Sequence, residues 1–174
     1  KTNLANNIIM LLVVYFDAFR KELVKRLKEN GIEFDIVKYD NLEKYISTHP
    51  PIKKVIIAGS KKRILRDNDF PLLKQFMKKN TKIIGICFGF QFLAHNTGGK
   101  IVEHTLFKGH RELETGENMY FNHYDRVIDL PKKWKVISNV DGFINIAMTD
   151  KWVGFQFHPE MNAEYFNYYV LPFI

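Results

Sequence analysis

The sequence predicts an α/β fold of three layers, α/β/α, with a mostly parallel central sheet and an antiparallel extension in the C-terminal half. Three observations carry this. Short apolar, β-branched runs alternate with amphipathic stretches up to about Lys100, the pattern of parallel strands joined by crossover helices. The runs Ile8 to Phe16 and Ile83 to Ile86 contain no alternating polar residues, as strands covered on both faces require. After Lys100 the texture changes to short strand-like stretches punctuated by turn residues.

Taken in order, Ile8 to Tyr15 reads as a buried strand. Asp17 is placed to cap a helix over Ala18 to Asn30 that turns Phe19, Leu23, Val24 and Leu27 inward, with Asn30-Gly31 as its C-cap. Ile32 to Tyr39 alternates as a second strand, and a short helix from Asn41 to Ser47 runs into Pro50-Pro51, which breaks it. Lys54 to Ala58 is the third strand and leads directly into Gly59-Ser60. A helix over Phe70 to Lys79 carries Leu72, Leu73, Phe76 and Met77 as its apolar stripe. Ile83 to Ile86 is the fourth strand, and its following helix ends near Gly98-Gly99. The extension is expected from Lys100 to Glu103, Trp134 to Val140, Phe143 to Met148 and Trp152 to Gln156, with Asp141-Gly142 as a hairpin turn. A last helix, Ala163 to Tyr169, would pack Tyr165, Phe166 and Tyr169. In such sheets, sites lie at the carboxyl ends of the strands, where Gly59 and Cys87 fall.

Composition narrows the class. The 174 residues suit one domain, 1–174, with a full core, and 46% hydrophobic against 26% charged residues is ordinary for a globular chain. A single cysteine excludes an internal disulfide and fits a reducing, cytoplasmic setting. The longest apolar run is too short to cross a bilayer, so no membrane partner is expected. The formal charge of +7 is spread over helices and turns, which argues against a nucleic-acid partner. The exception is the cluster Lys61-Lys62-Arg63-Ile64-Leu65-Arg66, which could dock an acidic partner or substrate. There is no P-loop or dinucleotide fingerprint, and the spacings of His104, His110, His123 and Asp125 fit no tight ligand set, so neither cofactor nor metal is expected.

The chemistry gathers at Cys87. A lone cysteine is usually a small buried hydrophobe. This one sits in Gly85-Ile86-Cys87-Phe88-Gly89, between a strand and a helix, with glycines two residues to either side. That is the pattern of a nucleophile elbow, in which the helix dipole also favours thiolate. A second stretch, Gln156-Phe157-His158-Pro159-Glu160, supplies a base and a carboxylate to orient it, completing the logic of a triad.

These two stretches resemble the signature motifs of the class I glutamine amidotransferases. His123-Tyr124-Asp125-Arg126-Val127 through Pro131 is most similar to the glutaminase domain of GMP synthetase. The resemblance covers nearly the whole chain and implies a flavodoxin-like sheet. It also implies hydrolysis of the side-chain amide of L-glutamine to glutamate and ammonia through a Cys87 thioester, with His158 as proton carrier and Glu160 as its orienter. Gln91, Gly89, His123 and Asp125 fall where the family contacts substrate or the mouth of the site. The oxyanion would be held by the N–H of Phe88 and by the loop at Gly59 and Ser60. Here the family reads Gly-Gly-Pro, and this chain reads Ala58-Gly59-Ser60-Lys61. One glycine is kept and the proline is lost, so weak activity without a partner is expected.

No stretch reads as an ATP-binding or acceptor segment, so ammonia is expected to pass to a separate ATP-dependent synthetase, plausibly one making GMP. Two rivals use the same residues. One is a γ-glutamyl peptide hydrolase with a wider pocket. The other is a regulatory relative that keeps the triad with little turnover.

Overall fold

The computed structural model describes residues 11–67 and 69–174. The part of the first expected strand at residues 8–10 lies outside them. A seven-stranded sheet forms the centre. Its strands are β1 (Leu12–Tyr15), β2 (Asp35–Lys38), β3 (Lys54–Ile57), β4 (Lys82–Ile86), β9 (Lys135–Val140), β10 (Phe143–Met148) and β11 (Trp152–Phe155). Their order is β2-β1-β3-β4-β11-β10-β9. The first five run parallel, and β10 and β9 add the antiparallel extension. Helices α1 (Arg20–Glu29), α2 (Leu42–Thr48), α3 (Pro71–Lys78) and α4 (Phe88–His95) connect or follow the parallel strands. The α/β/α reading is thus borne out.

Alternation along the strands separates two cores. Leu12, Val14, Val55, Ile57 and Ile83 face one layer with Leu73, Phe76, Phe88 and Phe90. Leu11, Val13, Ile56, Ile84 and Ile86 face the other with Leu23, Leu27, Phe166 and Val170. Successive side chains on a strand point to opposite faces, so apolar residues at every position require cover on both sides.

The extension is smaller than the sequence predicts. Lys100–Val102 (β5) leaves the main sheet and pairs antiparallel with β8 (Arg126–Asp129). A hairpin of β6 (Phe107–Glu112) and β7 (Asn118–His123) makes a third sheet. The sequence pattern predicts none of β6, β7 and β8. On β7 the inward Met119, Phe121 and His123 alternate with half-exposed or exposed residues, a period-two signal weakened by the charged, alternately exposed β6 opposite it. At Asp141-Gly142 both residues have positive φ, 54° and 79°, which is the backbone of a tight hairpin turn.

Two expected element bounds fail. The second strand starts only at Asp35 rather than Ile32. The final helix is three residues of α-helix, Ala163–Tyr165 (α5), followed by a π turn over Phe166–Val170 and a 3-10 turn over Leu171–Phe173. Pro172 has no N–H to continue an α-helical ladder. Phe166 is still buried, with Tyr165 and Tyr169 packed partly against the same core.

Helix α4 sits unusually deep. A Cβ on Gly89 would overlap the carbonyl oxygen of Ile57 on β3, which is backbone and cannot swing aside. Gly89→Ala gains about 1 kcal/mol of helix propensity. Overpacking against backbone outweighs this, at about 3 kcal/mol. The expected result is a net loss of about 2 kcal/mol in denaturant unfolding, with a matching fall in thermal midpoint.

Candidate active site

β4 ends at Ile86 and α4 begins at Phe88, so Cys87 must turn the chain between them in one residue. It does so at φ 51°, ψ −101°, a conformation that L residues rarely adopt. The turn closes because neither flanking glycine carries a side chain. A Cβ on Gly85 would lie 2.5 Å from the carbonyl carbon of Gly89. Cys87 N–H donates to the Phe155 carbonyl at 2.6 Å, tying the elbow to β11. The first N–H groups of α4 have no acceptor within the helix and open toward the sulfur's end of it.

Strand pairing brings the second motif alongside. β4 and β11 run parallel with Ile86 opposite Phe155, so Gln156 follows beside Cys87. His158 N–H donates to the Tyr120 carbonyl at 2.8 Å, and Arg26 of α1 donates to the Glu160 carbonyl at 3.0 Å. Both side chains are almost wholly buried. His158 Nδ1–H donates to Glu160 Oε1 at 2.7 Å, which leaves Nε2 to exchange a proton. Among the described residues Nε2 has no hydrogen-bond partner. Burial opposes protonation of His158. The Glu160 carboxylate and the nearby Cys87 sulfur outweigh it and raise the imidazole from 6.5 to about 10.

Two neighbours close over this ring. Phe19 stacks on it with ring centres 3.9 Å apart and planes 25° off parallel. On Gly59, a Cβ would lie 2.6 Å from His158 Cε1. The loop therefore keeps this glycine because the imidazole occupies the space of a side chain. Phe19 does not point inward from α1, as its spacing predicts. It precedes the helix in the left-handed region, at φ 59°, and lies over the histidine. The helical spacing of Phe19 with Leu23 hides that role in the sequence.

Asp17 does not cap α1. Its carboxylate accepts from Ser60 Oγ at 3.3 Å and from Lys61 N–H at 3.2 Å. Ser60 Oγ in turn accepts from Lys62 N–H at 3.0 Å. The loop that lacks the family's proline is thus held by side-chain hydrogen bonds. It competes for Asp17 with the helix N-terminus and wins.

A cavity of about 480 Å³ opens onto Cys87, lined among others by Ser60, Gln91, Asn122, His123 and Asp125. The structure brings the expected residues among these together and engages each of them within the chain. Gln91 is buried, and its Nε2 is engaged by the Asp125 carbonyl at 2.7 Å and by Gln156 Oε1 at 3.3 Å. The carboxylate of Asp125 is taken by the Arg63 guanidinium, which also stacks over Tyr124 at 4.6 Å. Arg66 pairs with Glu103 at 2.7 Å. The basic cluster is therefore not a free docking patch: Arg63 and Arg66 are engaged within the chain, and Lys61 and Lys62 stay exposed. His123 Nδ1–H donates to the Asp125 carbonyl at 3.0 Å. Burial, reinforced by the charges of Arg126, His158 and Arg111, lowers its pKa to about 3, so it is neutral.

The sequence profile of the family Glutamine amidotransferase class-I matches residues 11–171, and the chain belongs to that family. It is thus an enzyme of the glutamine amidotransferase class. Among curated proteins it is similar to the glutamine-hydrolysing GMP synthase of Bacillus subtilis, with 29% identity over 192 residues, covering 95% of this chain and 35% of that one. It is likewise similar to the GMP synthase of Clostridium perfringens, with 27% identity over 173 residues, covering 88% and 33%. The chain spans about a third of the length of these relatives. Two solved structures share the fold. A Thermoplasma acidophilum protein, provisionally assigned to GMP synthase as one of its subunits, has a TM-score of 0.72 at 19% identity, covering 89% of this chain and 86% of that one. A glutamine amidotransferase from Methylobacillus flagellatus has a TM-score of 0.67 at 16% identity, covering 95% and 76%.

This geometry makes Gly59 and the two histidines testable. Gly59→Ala must push the His158 ring aside, and a misplacement of about 1 Å lowers turnover roughly 100-fold with the fold retained by circular dichroism. The histidines set the response to pH. A histidine raised from 6.5 to about 10 contributes stability in full below pH 6.5 and loses it as pH climbs toward 10. His123, lowered to about 3, contributes above pH 6.5 and loses that contribution as pH falls toward 3. Unfolding free energy measured across pH should fall on both sides of neutrality, with Glu160→Gln flattening the alkaline limb and His123→Phe the acid limb.

Proposed function

We propose that this chain hydrolyses the side-chain amide of L-glutamine, with Cys87, His158 and Glu160 as its catalytic residues. The observation that carries the reading is the buried Nδ1–H···Oε1 bond from His158 to Glu160, set beside a cysteine on a strained elbow that opens to a cavity. In the proposed cycle His158, protonated at neutral pH, already holds the Cys87 proton on Nε2, and the thiolate attacks the amide carbon. The oxyanion is met by the N–H of Phe88, at the start of α4, and by the Gly59-Ser60 loop. His158 returns the proton to the departing nitrogen, releasing ammonia and leaving a thioester on Cys87. Water, deprotonated by His158, then frees glutamate. Glu160 holds the imidazole in the tautomer that leaves Nε2 available.

Gln91 and Gly89 contribute by shape. Gln91 lines the cavity, and Gly89 admits α4 close to β3. His123 and Asp125 line the cavity as a neutral ring and a charge-compensated carboxylate. Among the described residues, Lys61, Lys62 and Lys108 bring positive charge to the cavity without an ion-pair partner, which suits the α-carboxylate of the substrate.

The ammonia acceptor is proposed to belong to a separate ATP-dependent synthetase, with GMP synthesis favoured by the names of the relatives. A second reading, hydrolysis of longer γ-glutamyl compounds, is favoured by the cavity volume of about 480 Å³ and the lysines lining it. Steady-state ammonia release from glutamine, against glutamate release from γ-glutamyl dipeptides, separates the two. Under the first reading glutamine is turned over and Cys87→Ala abolishes this. His158→Ala lowers the rate about 100- to 10,000-fold and Glu160→Gln less. Near-normal turnover by His158→Ala removes the triad.

A further inference from the structure

Gln156 stands outside the mechanism just given, yet it touches the reacting atom. Its Nε2 lies 3.7 Å from Cys87 Sγ, a distance suited to an N–H bound by the larger sulfur atom. Its side chain is buried. An amide's two ends are interchangeable in outline, so the direction of Gln156 is fixed by what its neighbours can accept or donate. The Asp125 backbone carbonyl can only accept. Gln91 must therefore turn its NH₂ toward it, at 2.7 Å. The second hydrogen of that NH₂ faces Gln156 at 3.3 Å, so Gln156 must offer Oε1 there. This leaves Nε2 of Gln156, with its hydrogens, directed at the sulfur. The backbone is fixed as well, since Gln156 N–H donates to the Asn145 carbonyl at 2.9 Å.

We propose that Gln156 is a catalytic hydrogen-bond donor to Cys87, holding the sulfur as thiolate, with Gln91 fixing the direction of its amide. Among the described residues the sulfur has two hydrogen-bond partners of opposite preference. The Asn122 carbonyl, 3.6 Å away, can bind only the S–H form. Gln156 N–H binds the sulfur most strongly once it is negative, because hydrogen bonds to charged acceptors are the strong ones. When the proton moves to His158 Nε2, the bond to Asn122 is lost and the bond from Gln156 strengthens. Gln156 thus supplies the protein contact that favours the nucleophilic form.

The inference rests on Cys87 being the nucleophile, and its test is independent of glutamine turnover. Cys87 is the chain's one cysteine, so alkylation by iodoacetamide reports this site alone. The rate of alkylation is followed against pH in the full chain. Gln156→Leu should move the midpoint upward by about one pH unit, equivalent to about 1.4 kcal/mol. It should also lower kcat about tenfold with KM little changed. Gln156→Glu, which replaces the donor with an acceptor, should move it further. Gln91→Met, which frees the amide to turn, should move it less. The other titratable groups around the sulfur, His158 with Glu160, His123, the Arg63–Asp125 pair and the cavity lysines Lys61, Lys62 and Lys108, are the same in all three variants. If Gln156→Leu does not fold, Gln156→Glu and Gln91→Met carry the same expectation. A merely structural role lowers the melting temperature and leaves the midpoint in place, and an unmoved or lowered midpoint overturns the proposal. Absence of glutamine turnover in the parent chain would instead remove the reaction assigned above, and the alkylation shift would stand.

Discussion

The contact between Gly89 and the Ile57 carbonyl sets the depth at which α4 rests on the sheet, and the site depends on that depth. A helix held one side chain further out would relax the turn at Cys87 and draw the sulfur away from β11. Gly85 works with it, since the elbow leaves no room for a side chain there either. The backbone at Cys87 is held at φ 51°, ψ −101° by interactions on both sides: the buried apolar face of α4 and the parallel pairing of β4 with β3 and β11. Strain at one residue persists only where the surroundings over-determine it. Here the packing of a helix composed almost entirely of buried residues does so.

The parallel pairing of β4 with β11 then places the rest. Phe155 lies opposite Ile86, so the next residues of both strands leave the sheet at the same end and at the same level. Gln156 reaches the sulfur, and His158 and Glu160 follow on a short 3-10 turn begun by Pro159. Phe19 and Gly59 close against the imidazole from two further loops. Exclusion of water strengthens the electrostatic hold of Glu160 and of the Cys87 sulfur on the imidazole, and only together do they prevail over the burial penalty. The same exclusion makes each hydrogen-bond partner of the sulfur consequential.

Much of this is legible in the sequence, for identifiable reasons. The parallel strands are visible because burial on both faces leaves nothing polar in Leu11-Leu12-Val13-Val14 or Ile83-Ile84. The elbow is visible because the turn admits glycine alone at two fixed positions. His158 and Glu160 are visible because an imidazole and a carboxylate sit two residues apart across a proline. What escapes is set by partners distant in sequence. Asp17 has the residue type of a helix cap, and nothing local says that Ser60 and Lys61 claim it. Phe19 keeps helical spacing with Leu23 although it stands before the helix, over His158. Arg63 and Arg66 read as surface charge because Asp125 and Glu103, which bind them, lie far along the chain. The strands β6 and β7 escape because their small sheet leaves one face in water, so their apolar signal is sparse.

Those late strands also impose the last constraint on Cys87. The segment from Asn122 to Asp125 ends β7 and leads into β8, and it supplies carbonyls to several side chains of the site. Asn122 offers its carbonyl to the Cys87 thiol, and Asp125 offers one carbonyl to both Gln91 and His123. Gln91 in turn directs the amide of Gln156 at the sulfur. The contact that favours the thiol and the contact that favours the thiolate are therefore both anchored to one short stretch of backbone. That stretch is held in place from outside by Arg63, through its ion pair with the Asp125 carboxylate and its position over the exposed ring of Tyr124. The protonation preference of Cys87 is thus tied to an arginine and a tyrosine at the rim of the cavity. A residue such as Arg63, which reads as one more surface charge, belongs physically to the environment of Cys87.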